Sequence, residues 1–192
     1  MKKDSSGRSG SLELATRTGW LRRAAVAGAF AAAAATLLAA CGDSGASLSI
    51  KQSLAAGIAA QRAGNYSTAT VDYAKVLSAE PKNAYALYDI GDVEQFQHQD
   101  AAAATHYQEA LAVQPNFENA LYNLAILNSK SHPAEAKALY LQVIALSPRD
   151  AVARLNLGRL LLLLGEKRSG DAQINLAVNL DPSLKGLTTP SS

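Results

Sequence analysis

The sequence is poor in the residue types that several common folds and sites require. It contains one Cys, one Met and one Trp among 192 residues. A single Cys excludes an internal disulfide framework and a Cys-rich zinc module. Aromatic residues make up only 6% of the chain. A core must therefore be built from Ala and Leu with a few Tyr, which favours close-packed helices over a β-sandwich or barrel.

Motifs of catalytic chemistry are also missing. The sequence has no Gly-x-Ser-x-Gly elbow, and its Gly-rich stretch at 42–47 lacks the Lys of a phosphate-binding loop. The three His residues, His98, His106 and His132, have no metal-ligand spacing, and we interpret them as solvated surface side chains. We therefore expect no enzymatic activity, no cofactor and no metal site.

The formal net charge of +2 is distributed unevenly. Residues 1–40 contain six Lys and Arg against two Asp and Glu, whereas the rest of the chain contains 12 against 14. The basic character therefore belongs to the N-terminal segment. A near-neutral body with mixed charges gives no electrostatic reason to expect nucleic-acid binding.

The first forty residues have the layout of an export signal. Arg22 and Arg23 precede an uncharged, Ala-rich run over 24–40 that ends at Cys41. Cations resist translocation, while the apolar run partitions into the bilayer. The letters LAAC at 38–41 resemble the lipobox of bacterial lipoproteins. This resemblance implies cleavage before Cys41, lipidation of its sulfur and anchoring to a membrane of the bacterial cell envelope through more than one acyl chain.

Some features of this segment stay open. The 17-residue apolar run is at the lower limit of a membrane span, so an uncleaved anchor is the alternative to a cleaved signal. The pair Arg22-Arg23 only weakly approaches a twin-arginine export signal. The sequence does not decide between the inner and the outer membrane. Residues 1–40 are assigned to the signal peptide and 41–49 to a small, polar, flexible tether.

The remaining chain is repetitive. Pro81, Pro115, Pro148 and Pro182 are spaced by 34, 33 and 34 residues, and each follows an amphipathic helical pattern. An Ala in the second half of each of the first three copies precedes a Tyr by four residues. These pairs are Ala69 and Tyr73, Ala103 and Tyr107, and Ala136 and Tyr140. The first halves share a small residue in one frame, namely Gly57, Gly91, Ala125 and Gly158.

This pattern resembles the tetratricopeptide repeat (TPR), with its 34-residue period, small residue, Ala, aromatic and Pro. The resemblance implies an all-α fold, a right-handed α-solenoid of four helix-turn-helix repeats. We place repeat 1 at 50–83, repeat 2 at 84–117, repeat 3 at 118–150, a degenerate repeat 4 at 151–184, and a tail at 185–192. Within a repeat, the small residue of the first helix, helix A, should let the second helix, helix B, approach closely.

The resemblance also implies a groove lined by helix A. Tyr is suited to interfaces, although the Tyr residues of this frame equally suit packing between repeats. The mixed charge of the groove disfavours a clamp for an acidic C-terminus, and an extended or helical, partly apolar peptide is the better partner. The predicted groove residues are Lys51, Leu54, Ile58, Arg62, Tyr85, Tyr88, Asp92, Phe96, Asn119, Tyr122, Ile126, Lys130, Leu155 and Arg159.

The C-terminal repeat has five consecutive Leu residues over 160–164, more than one helix can bury against one neighbour. We expect Leu184 and Leu187 to fold back over the last helix, together with weak self-association. The sequence as a whole indicates a non-catalytic, lipid-anchored adaptor that binds another protein of unknown identity. Alternatives are a pilotin-type assembly factor for pili or secretins, a tethering module for a cell-wall enzyme and, least favoured, an enzyme with a cryptic site.

Overall fold

The computed structural model describes residues 45–187, which contain eight α-helices and no β-strand. The predicted all-α architecture of repeated helix-turn-helix pairs is confirmed. In the frame of the repeats, odd-numbered helices are helices A and even-numbered helices are helices B. The elements are α1 Gly45–Arg62, α2 Tyr66–Ala79, α3 Ala84–Phe96, α4 Asp100–Val113, α5 Glu118–Ser131, α6 Pro133–Leu146, α7 Ala151–Leu163, α8 Lys167–Leu180 and a 3-10 segment Pro182–Leu187.

The described residues divide into two compact units, and the division falls inside α5, between Leu127 and Asn128. In the first unit α1 packs on α2, α2 on α3 and α3 on α4. In the second unit α6 packs on α7, α7 on α8, and α8 on the 3-10 segment. Neighbouring helices along the chain are therefore also neighbours in space, as local helix pairs require.

The helix pairs of the first unit are held together by a glycine facing a tyrosine. A Cβ atom added to Gly57 would lie 2.5 Å from Cε1 of Tyr73, and one added to Gly91 would lie 2.9 Å from Cε1 of Tyr107. Both rings are fully buried. The small residue of helix A therefore accommodates the aromatic ring of helix B, and the close approach predicted from the sequence is confirmed.

The second unit achieves the same approach with aliphatic side chains. A Cβ atom on Gly158 would lie 2.7 Å from Cγ1 of Ile174 and 2.9 Å from the backbone oxygen of Gly170. Leu184 is buried in a cluster with Ile174, and Leu187 packs against that cluster. The predicted fold-back of the two C-terminal leucines is thus confirmed.

The turns inside three repeats use left-handed backbone. Gly64, His98 and Gly165 have φ values of 77°, 60° and 78°, at the place where helix A ends and helix B is about to begin. Gly adopts this region without a steric penalty, and His is among the residues that tolerate it. The third repeat, one residue shorter, instead starts helix B with Pro133 in the first turn, where a missing N–H costs nothing.

Two predicted boundaries differ from the structure. Helix α1 begins at Gly45, so residues 45–49 of the predicted tether are helical. The sequence has no Gly or Pro between Gly45 and Gly57, and nothing local therefore stops the helix from extending backwards. At the other end, residues 185–187 of the predicted tail belong to the 3-10 segment, and Leu187 packs against the cluster of Ile174 and Leu184.

Candidate partner-binding surface

The structure sorts the predicted groove residues by exposure. The exposed residues are Lys51, Arg62, Tyr85, Phe96 and Lys130. The half-buried residues are Leu54, Ile58, Asp92, Asn119 and Arg159. The buried residues are Tyr88, Tyr122, Ile126 and Leu155. The first group contains two aromatic side chains, Tyr85 and Phe96, which are both more than half exposed.

The four buried residues correct the predicted surface. Tyr88 is only 4% exposed, and its ring centroid lies 5.0 Å from that of Phe117 and 5.6 Å from that of Tyr107. Leu155 belongs to the cluster of Ile174 and Leu184 in the second unit. Since their side chains fill the interior, we remove these two residues, together with Tyr122 and Ile126, from the candidate surface.

Helix α3 supplies the two exposed aromatic rings. Tyr85 is 56% exposed and Phe96 is 54% exposed. The two residues are 11 positions apart, which is three helical turns plus about 20°, so they occupy the same face of α3. Asp92 is seven positions after Tyr85 and lies on this face between them. We call Tyr85, Asp92 and Phe96 the α3 stripe.

The Phe96 end of the α3 stripe is widened by the first residue of α2. The ring of Tyr66 lies 4.5 Å from that of Phe96, centroid to centroid, with an angle of 36° between the planes. Burial, together with the negative charge of Asp92, raises the pKa of the Tyr66 hydroxyl above the usual tyrosine value. The carboxylate of Asp92 is therefore electrostatically coupled to this aromatic pair.

The Tyr85 end rests on Phe117, the residue directly before α5. The ring of Tyr85 meets that of Phe117 edge to face, with 5.3 Å between centroids. Asn83 and Asp150 occupy the corresponding place directly before α3 and α7, and their side chains accept hydrogen bonds from the backbone N–H of Ala86 and Ala153. Helix α5 is thus preceded by an apolar ring, whereas α3 and α7 are preceded by a helix-capping side chain.

A polar network holds the middle of the α3 stripe. Nε2 of Gln61 donates to Oδ2 of Asp92 at 2.5 Å, and Nδ2 of Asn123 lies 3.4 Å from Oδ1 of the same carboxylate. Gln61 belongs to α1, Asp92 to α3 and Asn123 to α5. Three successive helices A therefore position one carboxylate, which fixes its place on the surface.

Two buried tyrosines continue this network behind the surface. The hydroxyl of Tyr73 donates to Oε1 of Gln61 at 2.6 Å, and that of Tyr107 donates to Oε1 of Gln95 at 2.7 Å. Gln61 and Gln95 occupy the same place in repeats 1 and 2, four residues after the glycine of helix A. Nδ2 of Asn123 also donates to the hydroxyl of Tyr107 at 3.1 Å. The rings that lock the helix pairs thus orient the amides that contact Asp92.

The histidines show no arrangement suited to chemistry. His98 and His132 are exposed. His106, predicted to be solvated, is half-buried, and its Nδ1 lies 2.7 Å from Oε2 of Glu94. Between residues 45 and 187, no three His, Cys, Asp or Glu side chains come together in a way that could hold a metal ion. Cys41, the predicted lipidation site, lies outside the part of the chain that the structure describes.

Membrane-spanning capacity is a separate question. None of the helices between Gly45 and Leu187 combines the length and the apolar character needed to cross a bilayer. The apolar run at 24–40 is not among the residues described.

Three residues of this surface and its support were missed by the sequence analysis, namely Tyr66, Phe117 and Asn123. Phe117 carried a usable signal, because an aromatic stands there in the frame where other repeats have Asn or Asp. Tyr66 and Asn123 carried none, since their contacts come from a neighbouring repeat about one period away.

Comparison with experimentally determined structures supports the architecture. MamA superposes with a TM-score of 0.65 at 19% identity, covering 70% of this chain and 79% of MamA. A thermophilic TPR protein of Thermus thermophilus gives 0.57 at 19% identity, covering 69% of this chain and 75% of its own. The chain has a tetratricopeptide-repeat-like fold.

A third similar structure is PilF of Pseudomonas aeruginosa. Its TM-score is 0.63 at 22% identity, and the match covers 72% of this chain and 64% of PilF. At these identities the likeness concerns the fold alone. No family model and no curated protein sequence matches the chain.

Proposed function

We propose that the protein is a non-catalytic adaptor, lipid-anchored in a bacterial cell envelope, that binds a segment of another protein on the helix-A face of its first unit. The observation that carries this proposal is the α3 stripe, where Tyr85 and Phe96 are both more than half exposed on one helix face. Repeat folds of this kind present extended surfaces rather than closed pockets.

The exposed rings are better explained by binding than by packing. Each ring touches one aromatic neighbour, Phe117 for Tyr85 and Tyr66 for Phe96, so each is already oriented. Ordered aromatic side chains lose little conformational entropy on association and are enriched among the residues that dominate binding energy. Asp92 between them adds a fixed polar contact of the kind that sets orientation.

Lipid anchoring is supported by the LAAC sequence at 38–41 after the apolar run. The test is metabolic labelling with a radioactive fatty acid such as palmitate in cells that make the full chain. We expect label on the wild type and none on Cys41→Ser. A neighbouring substitution, Ser44→Ala, is the matched control and should keep the label. Persistent labelling of Cys41→Ser would contradict the anchor.

Partner binding is tested by site-specific photocrosslinking in the same cells. A photoreactive amino acid replaces Tyr85 or Phe96, and a control replaces Gln108, which is exposed on helix B of the same repeat. We expect a discrete crosslinked protein from both stripe positions and none from position 108. Equal crosslinking at all three positions, or at none, would contradict the proposed surface.

A second candidate role is weak self-association through the C-terminal repeat. Leu163 is 83% exposed at the end of α7, and Leu164, Leu176 and Leu180 are exposed as well. Sedimentation of the full chain in detergent at tens of micromolar tests this role. We expect a dimer fraction that Leu163→Lys reduces. A wild-type chain that stays monomeric over that range would exclude it.

The alternative role, a tethering module for a cell-wall enzyme, leads to a different expectation. A module that ties an enzyme to the cell wall should bind peptidoglycan fragments, whereas an adaptor should bind protein. Sedimentation of the full chain with insoluble peptidoglycan distinguishes the two. Binding that Tyr85→Ala and Phe96→Ala leave unchanged would favour the tethering module over the adaptor.

A further inference from the structure

Helix α1 has one uncovered side. Its opposite side carries Gly57, which faces Tyr73 of α2. We call four exposed residues of the uncovered side the α1 face, namely Leu48, Gln52, Ala55 and Ala59. Steps of four, three and four residues place them in one line along the helix, within about 60° of arc. Leu48 is 56% exposed and is the large apolar side chain of this line.

The α1 face begins close to the proposed lipid anchor. Gly45, the first residue of α1, comes four residues after Cys41. At about 3.6 Å per residue, the Cα atoms of these two residues are about 14 Å apart at most. Leu48 follows three residues later, which adds about 4.5 Å along the helix. A lipid on Cys41 therefore keeps Leu48 closer to the bilayer than the length of α1 itself, about 27 Å.

The charges of the first unit are segregated along the chain. Residues 45–83 contain four Lys and Arg against two Asp and Glu, a formal net charge of +2. Residues 84–127 contain six Asp and Glu and neither Lys nor Arg, a formal net charge of −6. The charged residues of α1 are Lys51 and Arg62, both exposed cations. A negatively charged surface therefore attracts α1 and repels α3 and α4.

We propose that the α1 face lies against the surface of the bilayer that holds the lipid anchor. Leu48 enters the interface between headgroups and acyl chains, and Lys51 and Arg62 lie near anionic headgroups. The partner is thus a phospholipid surface with negative charge, such as one that contains phosphatidylglycerol. Helix α1 runs parallel to this surface, with Gly57 and α2 on the side away from it. This inference rests on the proposed function, because it needs the lipid on Cys41.

A weak contact is sufficient for this arrangement. The lipid holds the α1 face next to the bilayer, so docking is an intramolecular step with a high effective concentration. Helices bind a membrane interface through buried apolar area together with the attraction of cations to anionic lipid. The short side chains of Ala55 and Ala59 let the helix come near the headgroups.

A second copy of the chain is the alternative occupant of the α1 face, because exposed alanines also suit helix packing. A symmetric dimer through this face would bring Lys51 and Arg62 of two copies together, with no Asp or Glu in α1 to compensate them. Like charges across an interface oppose association. The charge of α1 therefore favours the anionic bilayer.

The experiment uses a fluorescent reporter on the mature, lipid-anchored chain in vesicles. Lipidation occupies the sulfur of Cys41, the single Cys of the sequence, so an introduced Cys is the one site for a thiol-reactive dye. The variants that carry the dye on the α1 face are Leu48→Cys, Ala55→Cys and Ala59→Cys. The vesicles contain phosphatidylcholine alone or mixed with phosphatidylglycerol. A lipid with a nitroxide on its acyl chain quenches any dye that reaches the interface.

Two control positions separate the α1 face from the rest of the unit. Ser49→Cys is exposed and as close to the anchor as position 48, but it lies about 100° around the helix. Gln108→Cys is exposed on α4. In vesicles with phosphatidylglycerol we expect strong quenching at positions 48, 55 and 59, weaker quenching at 49 and none at 108.

Substitutions separate the apolar contribution from the charge, with the dye kept at position 55. Leu48→Ser should reduce quenching in both kinds of vesicle. Arg62→Gln should lower the ratio of docked to undocked chains about fivefold with phosphatidylglycerol and leave it nearly unchanged with phosphatidylcholine alone. Glu109→Gln, an exposed residue of α4, is the control and should change neither. Exposed substitutions of this kind keep the fold, and thermal unfolding checks each variant.

Three results would overturn the inference. Quenching at position 48 without quenching at 59 would mean that α1 stands on end. Equal quenching at positions 48, 49 and 108, or none at 48, would mean that the α1 face does not dock. A dye that is shielded from water without being quenched, increasingly so at higher protein concentration, would assign the face to a second copy.

Failure of the proposed function is seen separately, by flotation of the vesicles with the wild-type chain. A chain that floats with the vesicles while its α1 face stays unquenched keeps the anchor and loses only this inference. A chain that does not float loses the anchor, and the inference falls with it. Crosslinking at positions 85 and 96 tests the partner-binding surface independently of both.

Discussion

The second and fourth repeats build the same helix pair with different side chains. In repeat 2, Gly91 of helix A faces Tyr107 of helix B, and the tyrosine hydroxyl donates to Gln95. In repeat 4, Gly158 faces Ile174, and Leu162 stands in the place of the glutamine. Repeat 4 therefore has the apolar pair Ile174 and Leu162 where repeat 2 has the hydrogen-bonded pair Tyr107 and Gln95.

This difference follows the environment of each helix pair. The Tyr107 hydroxyl in the first unit also accepts from Asn123 of the next helix A, so polar atoms there have partners in the adjacent repeat. Repeat 4 is followed by Leu184 and Leu187, which cover its last helix with apolar groups. A buried hydroxyl without a partner would be costly there, while an aliphatic side chain gains from the contact.

The largest effect should come from removing apolar volume in the second unit. Leu160 is buried in α7 whereas Leu163 of the same run is 83% exposed. We expect Leu160→Ala to lower the free energy of unfolding by about 3 kcal/mol, because it leaves a cavity in a packed interior. Leu163→Ala is the control and should change it by less than about 0.5 kcal/mol. Chemical denaturation with matched slopes measures both, and equal effects would contradict the assigned faces.

A close contact between backbones should give the next largest effect. In most helix interiors Gly→Ala is stabilising. At Gly158 the new Cβ would lie 2.9 Å from the oxygen of Gly170 and 3.0 Å from the nitrogen of Ile174, both backbone atoms. We therefore expect Gly158→Ala to destabilise the protein by about 2 kcal/mol.

The control for that substitution is Gly64→Ala. Nothing lies within 4 Å of a Cβ at Gly64, but its φ is 77°. Only the backbone conformation is penalised there, and the expected loss is about 1 kcal/mol. Thermal unfolding of the two variants compares them directly, and a stabilised Gly158→Ala would show that the helices of repeat 4 can separate without cost.

The hydrogen-bonded pair of repeat 2, Tyr107 and Gln95, can be replaced by apolar side chains such as those of repeat 4. Tyr107→Phe alone should cost about 1–2 kcal/mol, because Gln95 and Asn123 each lose a partner. Gln95→Leu alone should also destabilise the protein, since it removes the acceptor of the Tyr107 hydroxyl. The double variant should lose less than the sum of the two, and a double-mutant cycle measures the difference. Strict additivity would show that the two side chains do not depend on one another.

The fold could be predicted because its determinants are local and recur. The spacing of Pro81, Pro115, Pro148 and Pro182, with a small residue in each helix A, fixed the repeat length and the pairing of helices. The helix ends differ from the expected ones mainly at Gly45, where no breaker marks a start. The left-handed turns at Gly64 and His98 are occupied by residue types that accept such backbone.

The binding surface was less predictable, because exposure depends on the neighbouring repeat. Tyr85 and Tyr88 are both on the helix-A face by frame, yet one is more than half exposed and the other is buried. The ring that packs against both is Phe117, about one period later in the chain. Spacing places a residue on a helix face, but the depth at which it lies is set by long-range packing that a single sequence does not display.

The smallest expected effect tests the electrostatic link at the Phe96 end of the α3 stripe. Burial and the charge of Asp92 raise the pKa of Tyr66 in the folded protein, so folding favours the neutral hydroxyl. The contribution of the Tyr66 hydroxyl to the unfolding free energy is complete below its pKa in the unfolded chain, about 10. It is lost as the pH rises through the higher pKa that the hydroxyl has in the folded protein. Tyr66→Phe should therefore flatten the alkaline decline of the unfolding free energy by less than about 1 kcal/mol.

The difference in phenolate absorbance between wild type and Tyr66→Phe gives the titration of Tyr66 itself. In an Asp92→Asn background that titration should move only partly back towards the usual value, because burial is the larger cause. A full return of the Tyr66 pKa to the usual tyrosine value would contradict this order of causes. It would mean that the charge of Asp92 alone raises the pKa of Tyr66.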